Sequence, residues 1–319
     1  MKKQDFYIGI DVGGTTCKIG IIDENNEIVF KKSFPSNSKV FAEKFLTEIS
    51  QLVDDALNNF LTVKSIGMGV PGIIDDGILK IAPNFPNLNN VDFGSFFREK
   101  YSLPFTVDND ANAAAIAELV AGNGINYKNF IYITLGTGVG GAIIIDKKIF
   151  KGTNGGAGEL GHFIIDLNHF SPDLPKFRNG TLEEFVGRKA IINNYNNLKN
   201  HEVNFPKENL RVINKQSLDV FDISEAAGFG DEAAIKCLLQ VGFYMGISVA
   251  SFANIFDIPN FIIGGGVSQS DLILEQTEKI AKERALPTVA KYLKIERAKY
   301  LNETGIIGAA LLGKKNIFK

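Results

Sequence analysis

The apolar positions follow two periodicities, and the first predicts a β-meander at the start of the chain. Residues 7–12 and 16–22 are β-rich runs that flank the pair Gly13 and Gly14. A polar turn then leads into a third β-rich run at residues 28–30. Short β-rich runs bounded by glycine and polar residues are typical of hairpins. We therefore predict three antiparallel strands with a glycine-rich first turn.

A second copy of this pattern lies further along the chain. Residues 131–146 align with residues 8–23 without a gap. We infer a duplicated domain in which each half opens with a strand, a glycine turn and a strand, and chance similarity between Ile- and Gly-rich strands is the alternative. The identical pairs are Ile8/Ile131, Ile10/Ile133, Gly13/Gly136, Ile21/Ile144, Ile22/Ile145 and Asp23/Asp146.

The second periodicity is helical, because apolar residues recur every three to four positions in several segments. Further strands are expected at residues 66–72, 105–107 and 261–267, so that strands mix with crossing helices in an α/β fold. Residues 198–215 are polar and are expected to be the least ordered. The predicted helices are 40–60, 93–101, 111–121, 180–198, 223–254, 272–286 and 305–312.

Length and composition limit the class of protein. The 319 residues suggest two domains. With 45% hydrophobic and 22% charged residues, the chain is neither disordered nor collagen-like. Its 34 Lys and Arg against 36 Asp and Glu give a net charge of −2, without a basic cluster that would indicate nucleic-acid binding. Small molecules or a second copy of the chain are the expected partners.

The two cysteines, Cys17 and Cys237, are too few for a disulfide framework or a thiolate zinc cluster. The apolar run that begins at Phe6 is too short for a signal peptide. No apolar stretch approaches the roughly 18–20 residues that a membrane span needs. We therefore expect a soluble cytoplasmic protein.

Both glycine turns offer a place for a phosphate group. Glycines let backbone N–H groups close on an anion without interference from a Cβ atom. Thr15 and Thr16 add hydroxyl donors, and Asp11 is an oxygen ligand suited to hydrated Mg²⁺. Residues 136–141 offer the same chemistry, so that the two turns together could hold a polyphosphate. The alternative is that each is only a tight hairpin, and neither matches a P-loop or a dinucleotide-binding pattern.

Polar groups also gather where the predicted strand at residues 105–107 meets the next helix. Asp108, Asn109 and Asp110 stand at this junction. A carboxylate here could take a proton from a substrate hydroxyl while Asn109 binds a neighbouring hydroxyl. The alternative is that Asn109 or Asp110 only caps the helix.

A further cluster contains Glu159 and His162 within a glycine-rich stretch. Together they suit hydrogen bonds to vicinal hydroxyls, whereas a solvated Glu and a capping His are the alternative. A metal site is the rival interpretation, but His169 and His201 are the only other histidines and no cysteine is near.

Two more positions have simpler explanations. Thr181 and Glu184 have the spacing of a capping box, so helix capping alone would explain Glu184. Capping explains Glu183 less well. Asn84 is a lone amide in a Pro-flanked loop, for which turn chemistry is sufficient.

Taken together, these motifs resemble the ROK family of sugar kinases within the actin-like ATPase superfamily, over almost the whole chain. The resemblance implies a two-lobed actin-like (ribonuclease H-like) α/β fold with mixed sheets and a cleft between duplicated domains. It places the N-terminal lobe at residues 1–115 and the larger lobe at 116–304, with a C-terminal helix in 305–319 that packs back on the first lobe. The motifs that carry the resemblance are residues 11–15, 69–72, 109–112, 135–140, 158–162, 264–267 and 305–310.

The resemblance also implies roles for individual residues. Asp110 matches the catalytic base that deprotonates the attacking sugar hydroxyl, and Asp11 helps place Mg²⁺ through a water ligand. The residues that match sugar-contacting positions are Asn84, Asn109, Asp110, Glu159, His162 and Glu183. Those that match the ATP side are Asp11, Gly13, Gly14, Thr15, Thr16, Lys18, Gly136, Thr137, Gly138, Gly264, Gly265 and Gly266.

One departure concerns a zinc site that many members of the family build after the Gly-Glu-x-Gly-His motif. The matching residues 167–181 contain no cysteine, and Thr181 stands at the position of the last one. We therefore expect no structural zinc, with His162 left available to the sugar.

The predicted activity is transfer of the γ-phosphate of ATP to a hexose, with glucose O6 as first choice and a role in glycolysis. An N-acetylmannosamine kinase or another sugar kinase of the family is the alternative. A sugar-sensing repressor is a third possibility, but its helix-turn-helix would have to precede the first strand, where we expect no room. By analogy with the family, we expect a homodimer that binds neither nucleic acid nor membrane.

Overall fold

The computed structural model describes residues 4–201, 218–301 and 303–314. Most of the predicted polar segment 198–215 therefore lies outside the described residues. The strands are β1 (Phe6–Val12), β2 (Thr16–Ile22), β3 (Ile28–Pro35), β4 (Val63–Val70), β5 (Ile73–Asp75), β6 (Ile78–Ile81), β7 (Val91–Asp92), β8 (Phe105–Asn109), β9 (Phe130–Leu135), β10 (Val139–Ile145), β11 (Lys148–Ile149), β12 (Asn260–Gly264) and β13 (Lys294–Arg297). The helices are α1 (Ala42–Asn59), α2 (Phe93–Tyr101), α3 (Asp110–Ala121), α4 (Glu183–Val186), α5 (Arg188–His201), α6 (Val220–Gly228), α7 (Glu232–Phe256), α8 (Asp271–Arg284), α9 (Pro287–Ala290) and α10 (Thr304–Gly313).

Two five-stranded sheets have matching strand orders. The first runs β3-β2-β1-β4-β8, and the second runs β11-β10-β9-β12-β13. In the first sheet β1 pairs antiparallel with β2 and parallel with β4. In the second, β12 pairs parallel with both β9 and β13. Because each hairpin stands at the same place in its sheet, the topology confirms the duplication inferred from the repeated hairpin.

Residues in contact group the chain into two compact units. Unit 1 comprises Met1–Lys128, Ala142–Gly158 and Lys299–Lys319, and unit 2 comprises Asn129–Gly141 and Glu159–Ala298. The domain limits drawn from the sequence stay a prediction.

Unit 1 is built around the first sheet, whose β1, β4 and β8 strands carry α10 and α3 on one face. Glycines make this close packing possible. A Cβ atom on Gly9 would overlap the carbonyl oxygen of Ile306, and one on Gly67 would overlap that of Ala309. The opposite face buries the apolar side of α1 through Phe45 and other side chains. The sheet is therefore buried on both faces, which fixes the end of β8 in space.

Two helices predicted as continuous are broken in unit 2. The predicted helix 180–198 begins only at Glu183 and is interrupted at Gly187, so that α4 and α5 are separate. The predicted helix 223–254 is interrupted by a turn in which Gly230 has a φ of +87°. Both predictions were wrong because glycines that end a helix sit within a continuous apolar pattern.

By length and composition, helix α7 is long and apolar enough to cross a membrane, so the prediction that no apolar stretch approaches that length was wrong. Of the apolar 18-residue stretch of α7 that could cross a membrane, 61% is buried inside the protein. Its apolar residues pack against α8 and α5, as in the core helix of a globular unit.

Candidate active site

In unit 1, Asn109 and Asp110 form the corner at which β8 passes into α3. The Asn109 side-chain oxygen accepts hydrogen bonds from the backbone N–H groups of Ala111, at 2.8 Å, and Asn112, at 3.3 Å. Its amide nitrogen donates to the carbonyl of Gly72 at 3.1 Å. Asn109 is thus the N-cap of α3, as one of the two interpretations of the sequence allowed.

Asp110 is the first residue of α3 and is half-buried. Its carboxylate accepts a hydrogen bond from the N–H of Ala111 at 3.0 Å. The start of a helix attracts negative charge because its first N–H groups point outward. The corner therefore presents a fixed carboxylate beside the Asn109 amide, which is an arrangement suited to accepting a proton from a hydroxyl.

Asp108 lies behind this corner and is buried. One oxygen accepts from the N–H of Asn109 and from the side chain of Asn112, each at 2.8 Å. The other oxygen forms an ion pair with Lys151 at 2.6 Å. The sequence interpretation included Asp108 in the polar cluster but missed Lys151, which is 43 residues away in the chain and has no recognisable motif.

The first glycine turn lies between β1 and β2, also in unit 1. The N–H of Gly13 donates to the carbonyl of Thr16 at 3.0 Å, and the carbonyl of Thr15 accepts from Ser36 at 3.0 Å. A Cβ atom on Gly13 would lie 2.8 Å from the Thr16 oxygen, whereas one on Gly14 would meet nothing within 4 Å. The fold thus explains the glycine at position 13 but not the one at position 14.

Asp11, at the end of β1, is held close to the start of α10. Its carboxylate is 3.6 Å from the ammonium group of Lys18. Gly305 makes room for it, because a Cβ atom there would overlap the Asp11 carboxylate. Burial raises the pKa of Asp11, and the charge of Lys18 opposes the rise. A single carboxylate of this kind fits Mg²⁺ that keeps most of its water ligands.

The second glycine turn lies between β9 and β10, in unit 2. The N–H of Gly136 donates to the carbonyl of Gly138 at 2.9 Å, and the carbonyl of Gly136 accepts from the N–H of Arg188 at 3.0 Å. A Cβ atom on Gly136 would meet nothing within 4 Å. Thr137 is exposed at the tip of this turn. The backbone N–H at the start of α5 therefore stabilises the turn on one side, and the other side of the turn stays open.

Glu183 supports this second turn directly. Its Oε2 accepts a hydrogen bond from the backbone N–H of Val139 at 2.8 Å, and its Oε1 lies 2.5 Å from the guanidinium of Arg178. Gly138 makes room for it, because a Cβ atom there would overlap the Glu183 carboxylate. The guanidinium also pairs with Glu184. The sequence interpretation missed Arg178, which ends the short 3-10 helix Lys176–Arg178 and lies five residues before Glu183.

The capping box predicted from Thr181 and Glu184 is absent. The Thr181 hydroxyl is buried and donates to the carbonyl of Arg178 at 2.9 Å. The N-cap position of α4 is Leu182, which has no side-chain cap. The prediction was wrong because the glutamate side chain pairs with Arg178 instead of turning back to the helix start.

In unit 2, Glu159 precedes the 3-10 helix Leu160–His162 and His162 ends it, and both residues are exposed. Partial desolvation of its carboxyl raises the pKa of Glu159, the charge of His162 opposes the rise, and the charge of Glu183 adds to it. The His162 ring lies 5.9 Å from the ring of Phe177. Glu159, His162 and Glu183 therefore share one electrostatic neighbourhood, as expected if they bind one ligand.

The remaining candidates lie in two loops. Gly264 ends β12, where a Cβ atom would overlap the Tyr132 hydroxyl. Gly265 has a φ of +83°, and Gly266 has open space around its Cβ position. In unit 1, Asn84 is exposed in the turn before a short 3-10 helix at Pro86–Leu88.

Over the described ranges, no three His, Cys, Asp or Glu side chains come together as a metal-binding group. The residues that replace the family's zinc segment do not offer the thiolates that such a site needs.

The sequence profile of the ROK family matches residues 7–316. The chain belongs to the ROK family. The glucokinase of Halalkalibacterium halodurans is 33% identical to this ROK protein, with 97% of this chain and 95% of the relative covered. The prediction of the family from its motifs is thereby confirmed.

Other relatives of this chain have different functions. The xylose repressor of Caldicellulosiruptor bescii is 31% identical over 94% of this chain and 76% of the relative. The N-acetyl-D-glucosamine kinase of Haemophilus influenzae is 28% identical over 96% of this chain and 98% of the relative.

Among solved structures, the ROK family glucokinase from Streptomyces griseus, in complex with glucose and AMPPNP, has a TM-score of 0.79 at 28% identity. The structural match covers 96% of this chain and 98% of the glucokinase chain. The predicted actin-like ATPase fold class and phosphotransferase class are confirmed. The roles of the individual site residues stay predictions.

Proposed function

We propose that this ROK protein transfers the γ-phosphate of ATP to the 6-hydroxyl of glucose, with Asp110 as the general base. The observation that carries the proposal is the corner of β8 and α3, which holds a half-buried carboxylate next to an amide. Phosphoryl transfer needs positioning and charge neutralisation more than covalent chemistry. The similarity to a glucokinase over 97% of the chain supports glucose as the acceptor.

The glycine turns support ATP as the phosphate donor. At Gly14, Gly136 and Gly266 a Cβ atom would meet nothing within 4 Å, and none of the three has a positive φ. The fold does not need glycine at these positions, whereas the close approach of a phosphate to the backbone would need it. We assign the phosphate contacts to these turns together with Thr15, Thr16 and Thr137, with Gly264 and Gly265 shaping the third turn. Lys18 would supply positive charge.

Asp11 would hold Mg²⁺, whose chemistry when bound is to neutralise charge on the phosphates. Burial raises the pKa of this half-buried carboxyl although Lys18 lies 3.6 Å away, so a bound cation would further favour its charged form. On the sugar side, the proposed hydrogen-bonding residues are Asn84, Asn109, Glu159, His162 and Glu183. Carboxylate, amide and imidazole groups are suited to binding vicinal hydroxyls.

The acceptor has two rivals, each favoured by a relative. A kinase for N-acetylglucosamine or N-acetylmannosamine would accept an amide at the sugar 2-position, as the relative from H. influenzae suggests. A sensor without turnover would bind a sugar such as xylose, as the relative from C. bescii suggests. The sugar that stimulates ADP release separates the two kinases, and a sensor would release no ADP with any sugar.

The test is a coupled ADP-release assay with ATP, Mg²⁺ and a panel of glucose, mannose, fructose, xylose, N-acetylglucosamine and N-acetylmannosamine. We expect the highest kcat/KM for glucose, with the product identified as the 6-phosphate by NMR. A higher value for an N-acetylated sugar would replace glucose as the acceptor. Sugar binding in a thermal-shift assay without any sugar-dependent ADP release would favour the sensor and contradict the kinase proposal.

We also propose a homodimer that works in the cytoplasm and supplies phosphorylated hexose to glycolysis. The near-neutral net charge of −2 supports the absence of a nucleic-acid partner. Light scattering after size-exclusion chromatography tests the dimer, since a single 34.9 kDa species would contradict it.

A further inference from the structure

Asp108 is a buried carboxylate placed two residues before the proposed base. Only 6% of its side chain is exposed, and both of its oxygens are engaged. The oxygen that faces the corner accepts from Asn109 and Asn112, the residues that surround the start of α3. The position of Asp108 is therefore coupled by hydrogen bonds to the segment that carries Asp110.

The other oxygen of Asp108 depends on Lys151, whose ammonium group lies 2.6 Å away. Lys151 differs from its partner in one respect: 49% of its side chain is exposed. Its own charge can therefore be solvated by water if the pair is broken, whereas the charge of Asp108 cannot.

Lys151 also begins a glycine loop that packs on the same unit. The carbonyl of Lys151 accepts a hydrogen bond from Ala157 at 3.1 Å, which closes the loop. Gly155, with a φ of +76°, lies so close to β5 that a Cβ atom would reach 2.5 Å from the carbonyl oxygen of Ile74. The loop is thus fixed at its closure and against β5, and this places the ammonium group opposite Asp108.

We propose that Lys151 is a positioning residue for the general base. It neutralises Asp108, and through Asp108 it holds Asn109 and Asp110 at the start of α3. The proposal rests on the proposed function only in naming Asp110 as the base. We call the contacts that run from Lys151 through Asp108 to Asn109 and Asn112 the structural tie. This structural tie can be tested whether or not the protein is active.

The unequal burial of the two partners predicts an unequal effect of removing them. Loss of Lys151 leaves a buried charge without a counterion, and the carboxylate must then move, take up a proton or admit water. Loss of the Asp108 charge leaves a lysine that turns into solvent. A neutral amide at position 108 can still accept from Asn109 and Asn112, so it should also relieve the loss of Lys151.

The experiment compares Lys151→Met, Lys151→Arg, Asp108→Asn and the double variant Lys151→Met/Asp108→Asn. Lys128→Met is the control, because Lys128 forms an ion pair of 2.8 Å with Asp146 in the same unit, but both partners are largely exposed. Two readouts are taken: kcat and KM for sugar and ATP, and hydrogen–deuterium exchange of the peptide that spans β8 and α3.

We expect Lys151→Met to lower kcat at least about tenfold with a smaller change in KM, and to speed exchange at the start of α3. Lys151→Arg and the control should stay within about threefold of the parent protein, whereas Asp108→Asn and the double variant should each lose less activity than Lys151→Met. The proposal is overturned if Lys151→Met matches the parent in both readouts. It is also overturned if the double variant is as impaired as Lys151→Met, because charge neutralisation would then not be its role.

The two proposals fail in different ways. If the parent protein shows no sugar-dependent ADP release, the proposed function fails, while the exchange rates still test the tie. Faster exchange in Lys151→Met that reverts in the double variant would then support the tie alone. Unchanged exchange would overturn it.

Discussion

The carboxylate of Glu183 accepts a hydrogen bond from the backbone N–H of Val139 over 2.8 Å, just after the second glycine turn. Glu183 is also one of the proposed sugar contacts. If both assignments hold, one side chain supports the phosphate turn and touches the acceptor. Arg178 keeps this carboxylate in place by pairing with its second oxygen.

This contact predicts that substitutions of Glu183 affect ATP as well as sugar. Glu183→Ala removes the acceptor for Val139 and should raise the KM for ATP and for sugar, each by roughly tenfold. Glu183→Gln keeps an acceptor oxygen and should raise the KM for ATP less than Glu183→Ala does. Steady-state kinetics with each substrate varied in turn provide the measurement.

Glu184→Gln is the matched control, because Glu184 pairs with the same arginine but has no hydrogen bond to the turn among those described. It should leave the KM for ATP within about twofold of the parent. An increase confined to the sugar KM in Glu183→Ala would contradict the role in the phosphate turn.

The proposed base predicts a separation of turnover from binding. Asp110→Asn keeps the size and hydrogen bonds of the side chain but removes the group that accepts the proton. We expect kcat to fall by at least about a hundredfold while sugar binding, measured by calorimetry, changes little. Asp271→Asn is the control, because Asp271 is likewise the first residue of a helix but its side chain is 78% exposed. Near-parental turnover in Asp110→Asn would remove the base assignment.

Much of the fold was predictable because local patterns and tertiary packing agree. The helix at 93–101 was predicted with the bounds that α2 has, since Asp92 caps it and Ser102 ends it in the left-handed region. The breaks around Gly187 and Gly230 were missed, because the apolar pattern continues across both. At these positions the glycine, and not the periodicity, decides where the helix ends.

The candidate site was predictable only where its residues belong to recognisable motifs. Asp110 and the glycine turns were proposed from such motifs, and their roles stay predictions. Lys151 and Arg178 were missed, because neither belongs to a recognisable motif and each acts through an ion pair. Lys151 pairs with Asp108 across 43 residues, and Arg178 reaches Glu183 from a short 3-10 helix that the sequence interpretation did not predict. Such contacts depend on the tertiary structure and leave no periodic signal.

Asp11 predicts a stability that depends on pH. Burial raises the pKa of this carboxyl above its ordinary value of 3.8, so the charged form destabilises the fold at neutral pH. Asp11→Asn should therefore raise Tm at pH 7–8 by roughly 2 °C, even as it impairs turnover. The gain should shrink as the pH falls through the raised pKa and should vanish below about 3.8, where both folded and unfolded parent are protonated.

Differential scanning fluorimetry across this pH range measures the effect. Asp146→Asn is the control, since that carboxylate is largely exposed and its ion pair contributes little. A Tm gain for Asp11→Asn that does not depend on pH would show that the charge of the carboxylate is not the cause.

The neighbouring glycines Gly265 and Gly266 should respond to alanine in opposite ways. Gly265 has a φ of +83° and a ψ of 167°, a region that side chains rarely enter at a cost of about 1–3 kcal/mol. A Cβ atom there would also overlap the carbonyl oxygen of Leu135. Gly265→Ala should therefore lower Tm by several degrees, whether or not ATP binds near it.

At Gly266 a Cβ atom would meet nothing within 4 Å, so Gly266→Ala should leave Tm within about 1 °C of the parent. Its effect should appear instead in the KM for ATP, because an added methyl group would keep a nucleotide away from the backbone. Gly14→Ala tests the same argument in unit 1. If both variants keep the parental Tm and also the parental KM for ATP, the open space beside these glycines is not where the nucleotide binds, and the phosphate contacts must lie elsewhere.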